Sequence, residues 1–231
     1  AQTVAELEKL DTNYEVSVSK KCGMRFEFHP TGQKLRTLIP VSKQSHCINT
    51  LLHHWWDGHL PIEITGIVSN HDDQRALAEW YELPYHHFPI EPGKKPVQEA
   101  KILSLFEETN SELLVLARYM QILTPHACES LAGRAINIHH SFLPGFKGAK
   151  PYHQAFERGV KLIGATAHYV TADLDEGPII EQSVLPVNHA YYPEKLMALG
   201  RDTETKALAS AVKLHTESRV FLSDNRTCIF K

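Results

Sequence analysis

The sequence predicts an α/β fold with a doubly wound, mostly parallel sheet, antiparallel strands near the carboxyl terminus and a short α+β segment in front. Its 231 residues, 42% hydrophobic and 22% charged, are enough for one large domain with a sizeable core. From Leu35 onward, short apolar segments alternate with segments of helical periodicity, as in a parallel sheet covered by helices. Two longer strand-like segments, Val160 to Val170 and Pro178 to Val187, are then joined only by a tight loop.

Residues 1–33 differ from the rest of the chain and are too few for a core of their own. Val4 to Leu7 is compatible with a helix, and Tyr14 to Val18 and Met24 to Phe28 alternate like half-buried strands. We expect the remnant of a small α+β module and a linker here, followed by one domain of residues 34–231. Because the first residue is not methionine, we expect a fragment or a processed chain.

Five apolar segments predict the parallel strands of the sheet. They are Leu35 to Val41, Ile62 to Val68, Tyr85 to Phe88, Leu113 to Ala117 and Ala135 to Ile138. Pro40 has no backbone N–H to donate, so we expect the first strand to end or bulge there. The connections between these strands should be right-handed crossovers.

Four helices are predicted between these strands, and the third spans Pro96 to Phe106. The residues expected to cap the others are Ser45 for the first, Asp72 or Asp73 for the second, and Thr124, before Pro125, for the fourth. The apolar side chains expected to face the core are Ile48, Leu51, Leu52, Trp55, Leu77, Trp80, Ile102, Leu103 and Phe106.

The carboxyl-terminal part contributes two more helices and a hairpin. One helix begins at Pro151 and closes at Gly159. Residues 193–218 form a long helix whose buried face is expected to contain Leu208, Ala211 and Val212. A turn at Asp224-Asn225 predicts a hairpin of the segments Arg219 to Leu222 and Thr227 to Phe230.

Composition narrows the functional classes. The net charge of −3 does not attract nucleic acid or an anionic membrane, and we expect neither as a partner. No apolar run reaches the length of a membrane helix, and the first residues do not resemble a signal peptide. The four cysteines form no C-x-x-C pair, so we expect reduced thiols in a cytoplasmic compartment.

Polar side chains follow the apolar residues of the fifth strand. Asn137 and His139 are two residues apart and point to the same side of a strand, while His140 should face the other way. Ligands of open α/β sheets bind at the carboxyl ends of strands. An amide beside a protonatable imidazole can stabilise the oxyanion formed when a carbonyl is attacked. A strand followed by an ordinary polar turn would show the same residues.

An acidic loop, Asp173 to Pro178, separates the two long strands. If it folds over the sheet edge, one carboxylate of this loop, which includes Asp175, can orient His139 or position a water molecule. Asp-x-Asp before Gly-Pro is also ordinary turn chemistry, which is the commoner meaning of such a segment. His168 is most simply a buried core histidine. Together with His139, His140 and His153 it could ligate a metal, but no zinc motif is present, so we predict none.

Two further loops bear on ligand binding. Ser42 to His46 follows the first strand without a glycine, which argues against a phosphate-binding loop. After the fourth strand, Met120, Ile122 and Leu123 can line an apolar slot for a flat ring. The same residues would also suit a helix lead-in packed on the core.

Several of these runs resemble the folate-dependent formyltransferases, and most closely the formyltetrahydrofolate deformylase group. The resemblance covers about residues 22–231. The runs that carry it are Val41 to Cys47, Leu116 to Leu123, Asn137 to Ala149, Pro151 to Ala155, Gly164 to His168, Asp175 to Ile180 and Asn225 to Thr227.

The resemblance implies a formyltransferase-like variant of the Rossmann fold that hydrolyses 10-formyltetrahydrofolate to formate and tetrahydrofolate in one-carbon and purine metabolism. It implies Asn137, His139 and Asp175 as catalytic residues. The substrate-binding residues that it implies are Met120, Gln121, Ile122, Leu123, His168, Thr171 and Asp173. It further implies a homo-oligomer with no cofactor beyond the folate substrate, and an ACT-like origin for residues 1–33.

Two alternatives stay open. The first is a formyltransferase on the same fold with an amine acceptor, although the glycine-poor loop after Val41 argues against a phosphorylated one. The second is a folate-binding protein without turnover, which the intact Asn137, His139 and Asp175 disfavour. The chain departs from the family pattern in its short amino-terminal segment and in Pro40, which interrupts a strand that is usually apolar throughout.

Overall fold

The computed structural model describes Gly23, His29 and residues 32–91, 93–145 and 151–231. The chain divides into two units, Ala1–Gln33 and Lys34–Lys231, and the fold below is that of the second. The helix and strands expected before His29, and their ACT-like character, lie outside the described residues.

Seven strands form one sheet in the order β3-β2-β1-β4-β5-β6-β7. They are β1 (Leu35–Val41), β2 (Ile62–Ser69), β3 (Tyr85–His87), β4 (Leu113–Leu116), β5 (Ala135–His139), β6 (Leu162–Tyr169) and β7 (Ile179–Pro186). The first five pair in parallel, and β6 and β7 pair antiparallel. This confirms the predicted mostly parallel sheet with antiparallel strands near the carboxyl terminus. The expected hairpin also forms, from β8 (Val220–Ser223) and β9 (Arg226–Ile229).

Helices cover both faces of the sheet. They are α1 (His46–Trp56), α2 (Arg75–Trp80), α3 (Lys95–Glu108), α4 (Pro125–Ser130), α5 (Pro151–Glu157) and α6 (Pro193–Thr216). Alternate strand residues serve the two faces, so Val115 packs with α1 and α6 in one core cluster, and Leu114 packs with α3 in the other. Within the described residues, no helix is long and apolar enough to span a membrane.

The helix caps agree only in part with the sequence. Thr124 caps α4, and its side chain accepts a hydrogen bond from the Ala127 N–H. Ser45 precedes α1, but its side chain makes no capping hydrogen bond. Capping of α2 by Asp72 or Asp73 is wrong, because Gln74 holds the cap position and the Asp72 carboxylate pairs with the guanidinium of Arg75 instead.

Pro40 neither ends β1 nor causes a bulge, so that prediction is also wrong. The register irregularity lies between Thr37 and Leu38, and Pro40 pairs with Val68. The Pro40 carbonyl accepts from the Ala117 N–H, at a point where β4 has already ended. A missing donor there interrupts little of the ladder. Trp80, expected in the core, is 71% exposed because it is the last residue of the six-residue helix α2.

Candidate active site

The carboxyl end of β5 brings an amide and an imidazole to the sheet edge. Ile136 and Ile138 pack in the core with α6, so Asn137 and His139 project from the opposite face of the strand. Asn137 pairs across the ladder with His168 of β6, and Asn137 Nδ2 lies 3.3 Å from His168 Nε2. The antiparallel pairing of β5 and β6 therefore places Asn137 and His168 side by side.

Hydrogen bonding determines how His168 holds Asn137. His168 Nδ1 lies 2.8 Å from the carbonyl oxygen of Tyr169, which can only accept, so Nδ1 carries the hydrogen. Burial lowers the pKa of His168 and favours its neutral form. The free electron pair on Nε2 then accepts one N–H of the Asn137 amide. The second N–H of that amide is left for a ligand.

Asp175 reaches this edge from the loop between β6 and β7. Its Oδ2 lies 3.2 Å from His139 Nδ1, and its Oδ1 lies 3.9 Å from His168 Nε2. Two features of the loop make this possible. Asp175 adopts a left-handed backbone with φ of 58°, which aspartate tolerates better than most residues. Gly177 approaches β6 so closely that a Cβ atom would overlap the Tyr169 carbonyl.

The Asp175 carboxylate and the His139 ring are buried side by side, with side chains 8% and 6% exposed. Burial by itself would raise the pKa of Asp175, but the hydrogen bond and positive charge of His139, with smaller effects of His168 and His140, lower it overall. Asp175 is thus ionised near neutral pH, and His139 Nδ1 donates to it. His139 Nε2 is buried without a hydrogen-bond partner in the described part of the chain. Because an unpaired buried polar atom is costly, this nitrogen is ready for a ligand.

A cavity of about 420 Å³ opens over these residues. The three predicted catalytic residues line it together with six of the seven predicted substrate-binding residues, which are Met120, Gln121, Ile122, Leu123, His168 and Thr171. Met120 and Ile122 are 55% and 57% exposed. An apolar wall above a polar floor is typical of a site for a flat, partly polar ligand.

Asp173 is the predicted substrate-binding residue that does not line this cavity. Its carbonyl accepts a hydrogen bond of 3.0 Å from the Thr171 hydroxyl, which shapes the loop. Sequence reasoning did not single out Val170, Ala172 and Leu174, which line the same cavity. The apolar Leu174 within the acidic loop was the available signal.

The apolar wall is tied to the loop after β1. Ser42 is buried, and its hydroxyl accepts from the Met120 N–H at 3.0 Å and lies 3.0 Å from Asn70 Oδ1. Lys43 contributes its carbonyl, which accepts from the Gln74 side chain. The loop after β1 therefore supports the ring slot.

His140 was expected to face away from the catalytic side chains. Its ring in fact lines the same cavity and also a second one beside Tyr152, so it lies between the two. The ring centroids of His139 and His140 are 5.2 Å apart. Burial, with the neighbouring charge of Arg118, lowers the pKa of His140 to about 4, so this side chain is neutral at physiological pH.

Within the described residues, His46, Cys47 and Glu204 are close enough together to be considered as metal ligands. The Glu204 carboxylate is already paired with His46 and lies beside the Arg118 guanidinium, whose charge opposes a cation. Burial, with the charge of Glu204, raises the pKa of the Cys47 thiol, so it stays protonated. This group suits an ion-pair cluster better than a metal.

The sequence profile of the family described as formyl transferase matches residues 35–212. A formyltetrahydrofolate deformylase of Corynebacterium sp. (strain P-1) is 55% identical over 214 residues, which cover 93% of this chain and 75% of that protein. This chain belongs to the formyltetrahydrofolate deformylase family. The deformylase of Bacillus subtilis (strain 168) is 47% identical over 214 residues, 93% of this chain and 71% of its own length.

Solved structures of deformylases and of a transformylase are both similar to this chain. The crystal structure of a formyltetrahydrofolate deformylase from Burkholderia mallei ATCC 23344 has a TM-score of 0.91 at 54% identity, covering 97% of this chain and 80% of that one. Glycinamide ribonucleotide transformylase 1 of Symbiobacterium toebii has a TM-score of 0.82 at 26% identity, covering 91% and 100%. The deformylase family thus shares its fold with a transferase.

Proposed function

We propose that this chain hydrolyses 10-formyltetrahydrofolate to formate and tetrahydrofolate. The observation that supports this most is the convergence of Asn137, His139 and Asp175 on the floor of a cavity with an apolar wall. That arrangement provides hydrogen-bond donors for an oxyanion and an acceptor for a water proton. Formyltetrahydrofolate is the compound named in the deformylase relatives.

The folate ring lies against Met120 to Leu123, three of which have apolar side chains. The loop from Thr171 to Asp175 covers the opposite side of the ring. This orientation directs N10 and its formyl group toward Asn137 and His139. The two exposed apolar side chains of the wall, Met120 and Ile122, become covered when the ring binds, which contributes hydrophobic free energy.

Hydrolysis begins when water attacks the formyl carbon. The second N–H of the Asn137 amide and the Nε2–H of cationic His139 donate to the oxyanion that develops. Asp175 stabilises the positive charge of His139 through Oδ2. Its Oδ1 makes no hydrogen bond to the described residues, and His168 Nε2 lies 3.9 Å away. This oxygen accepts a hydrogen bond from the attacking water.

Collapse of the tetrahedral intermediate breaks the bond between the formyl carbon and N10. His139 delivers its Nε2 proton to N10, which leaves as the secondary amine of tetrahydrofolate. Asp175 takes up the proton lost by the attacking water. Because His139 Nδ1 already carries a hydrogen, the proton returns to His139 at Nε2 through solvent once the products have left. Water therefore supplies the hydroxyl of formic acid and the N10 proton, and formic acid ionises to formate.

The main alternative is a transfer of the formyl group to an amine, and the shared fold of the Symbiobacterium toebii transformylase favours considering it. The loop after β1 argues against a phosphorylated acceptor, because it contains no glycine and its buried Ser42 is used to hold Met120. A non-catalytic folate-binding role does not explain why His139 Nε2 is buried without a hydrogen-bond partner in the described part of the chain.

An acceptor-free assay separates these functions. The protein is incubated with 10-formyltetrahydrofolate in amine-free buffer, and formate and tetrahydrofolate are measured separately. Hydrolysis yields the two products in equal amounts. Turnover that requires an added amine would identify a transferase, and folate binding without either product would identify a binding protein.

The proposal includes three further properties. The family resemblance implies that the enzyme needs no cofactor beyond its folate substrate and forms a homo-oligomer, and the cysteine pattern favours the cytoplasm. Retention of activity after dialysis against a chelator, and light scattering of the purified protein, test the first two. Fractionation of the source cells tests the third.

A further inference from the structure

A second cavity, of about 340 Å³, adjoins the first on the side of Tyr152 and α6. The two cavities have Arg118 and His140 in common. Arg201, His153 and Met197 are exposed side chains on its lining, so this cavity opens to solvent. Arg118 and His140 therefore form the border between the cavity above His139 and this second opening.

The acidic group in this cavity is already neutralised. Glu204 is 2% exposed, and its carboxylate accepts from the Tyr152 hydroxyl at 2.9 Å and lies 2.7 Å from His46 Nε2. Arg118 Nε lies 3.2 Å from the same carboxylate. Gly200, one turn earlier on α6, lets the Tyr152 ring approach the helix, since a Cβ there would overlap its hydroxyl. Both carboxylate oxygens thus have partners.

The remaining charge of the lining is positive. Arg201 is exposed, lines this cavity and has no ion pair or hydrogen bond among the described residues. Arg118 and Arg201 together outweigh the single carboxylate of Glu204, and His46 and His153 can only add positive charge. His140 is neutral. The first cavity shares Arg118, and the charge of its Asp175 is paired with His139, so Arg201 is the guanidinium that distinguishes the second cavity.

We propose that this second cavity binds the formate product, and that formate leaves through it while tetrahydrofolate still fills the first cavity. The inference rests on the proposed function, since it requires formate to be formed beside His139. Formate is small enough to pass between His140 and Arg118, and the carboxylate finds a guanidinium at Arg201 that can donate two parallel hydrogen bonds. The folate, which is much larger, leaves by the way it entered.

Product inhibition tests the order of release. Initial rates are measured against 10-formyltetrahydrofolate at several concentrations of sodium formate, with sodium chloride added to keep the ionic strength constant. If formate leaves first, it lowers kcat and inhibits noncompetitively, whereas tetrahydrofolate inhibits competitively. Formate that competes with 10-formyltetrahydrofolate would overturn the inference while leaving hydrolysis intact.

A matched pair of variants on α6 tests the site itself. Arg201→Gln removes the proposed guanidinium, and Lys206→Gln removes another positive charge from the same helix outside this cavity. Losing a charge-assisted pair should raise the inhibition constant for formate roughly tenfold in Arg201→Gln. Lys206→Gln should change it by less than about twofold, as expected for a screened distant charge. Equal effects of the two variants would refute the site.

A binding measurement makes the test independent of turnover. Line broadening of ¹³C-formate is recorded with the protein saturated with tetrahydrofolate, for the wild type and both variants. Saturable binding that Arg201→Gln weakens supports the second cavity. Displacement of formate by tetrahydrofolate would place formate in the first cavity and contradict the inference, even if the protein proved inactive as a hydrolase.

Discussion

Replacing Asp175 by asparagine removes one negative charge from the catalytic floor and leaves the shape of the side chain unchanged. Asparagine is the appropriate substitute because Asp175 has a φ of 58°, a conformation that asparagine adopts as readily as aspartate and alanine does not. The amide oxygen can still accept from His139 Nδ1. The variant therefore isolates the loss of charge from the loss of structure.

The magnitude follows from the distance between the charges. A unit charge on His139, 3.2 Å from Asp175 Oδ2, is stabilised by about 5 kcal/mol at an effective dielectric constant of about 20. The amide dipole restores part of this, so about 3–5 kcal/mol of transition-state stabilisation is lost. At about 1.4 kcal/mol per factor of ten, kcat should fall roughly 10²–10⁴-fold. KM should change by less than about threefold, because the ring slot is untouched.

Formate release under saturating 10-formyltetrahydrofolate measures this change. Asp224→Asn is the matched control, since Asp224 also has a positive φ of 52° but lies in the exposed hairpin turn. The control should keep wild-type kinetics. If Asp175→Asn retained more than about a third of wild-type kcat while remaining folded, Asp175 would not have the role assigned to it.

Three further outcomes are expected. Asn137→Ala removes an oxyanion donor and should lower kcat roughly 10²–10³-fold with little change in folate affinity, as measured by formate release and by fluorescence titration. Ile122→Ser, which shortens an apolar side chain of the slot, should raise KM roughly 5- to 30-fold and leave kcat nearly unchanged; an effect on kcat alone would count against the slot. Burial lowers the pKa of His215 from 6.5 to about 4, so as the pH falls through this window the unfolded chain takes up the proton first. Stability should drop there by up to about 3 kcal/mol. His215→Gln, which can still accept from the Tyr169 hydroxyl, should flatten that drop in chemical unfolding curves between pH 7 and pH 4.

The fold was predictable because periodicity records which side chains are buried. The alternation of helices and β-branched runs from Leu35 onward required a parallel sheet, and the short loop before Pro178 required an antiparallel one. Local turn chemistry was also readable, as at Thr124, whose side chain and following proline act within one turn.

The errors occurred where a local signal competed with another contact. Asp72 is a good capping residue, but its carboxylate pairs with the guanidinium of Arg75, three residues further on. Pro40 was expected to interrupt its strand, but β4 ends beside it, so the missing N–H of Pro40 removes little of the ladder. Such outcomes depend on which strand or side chain lies alongside, which a single sequence does not state.

The candidate site, like the fold, was predictable from the sequence only in part. The pair Asn137 and His139 followed from strand alternation, whereas the role of Asp175 came only from family resemblance, because Asp-x-Asp-x-Gly is also an ordinary turn. The Glu204 cluster was not foreseen at all. Its members, among them His46, Arg118 and Tyr152, are spread over the chain on three elements and a loop, and no spacing rule connects them.

The central claim is that water, and no amine, receives the formyl group on the floor formed by Asn137, His139 and Asp175. Turnover of 10-formyltetrahydrofolate in ¹⁸O-labelled, amine-free water measures this directly by mass spectrometry of the formate. We predict one ¹⁸O atom in each formate molecule, with one tetrahydrofolate formed for each. Tetrahydrofolate that forms only after an amine is added, with the formyl group on that amine and no formate, would contradict the account, and so would formate without label.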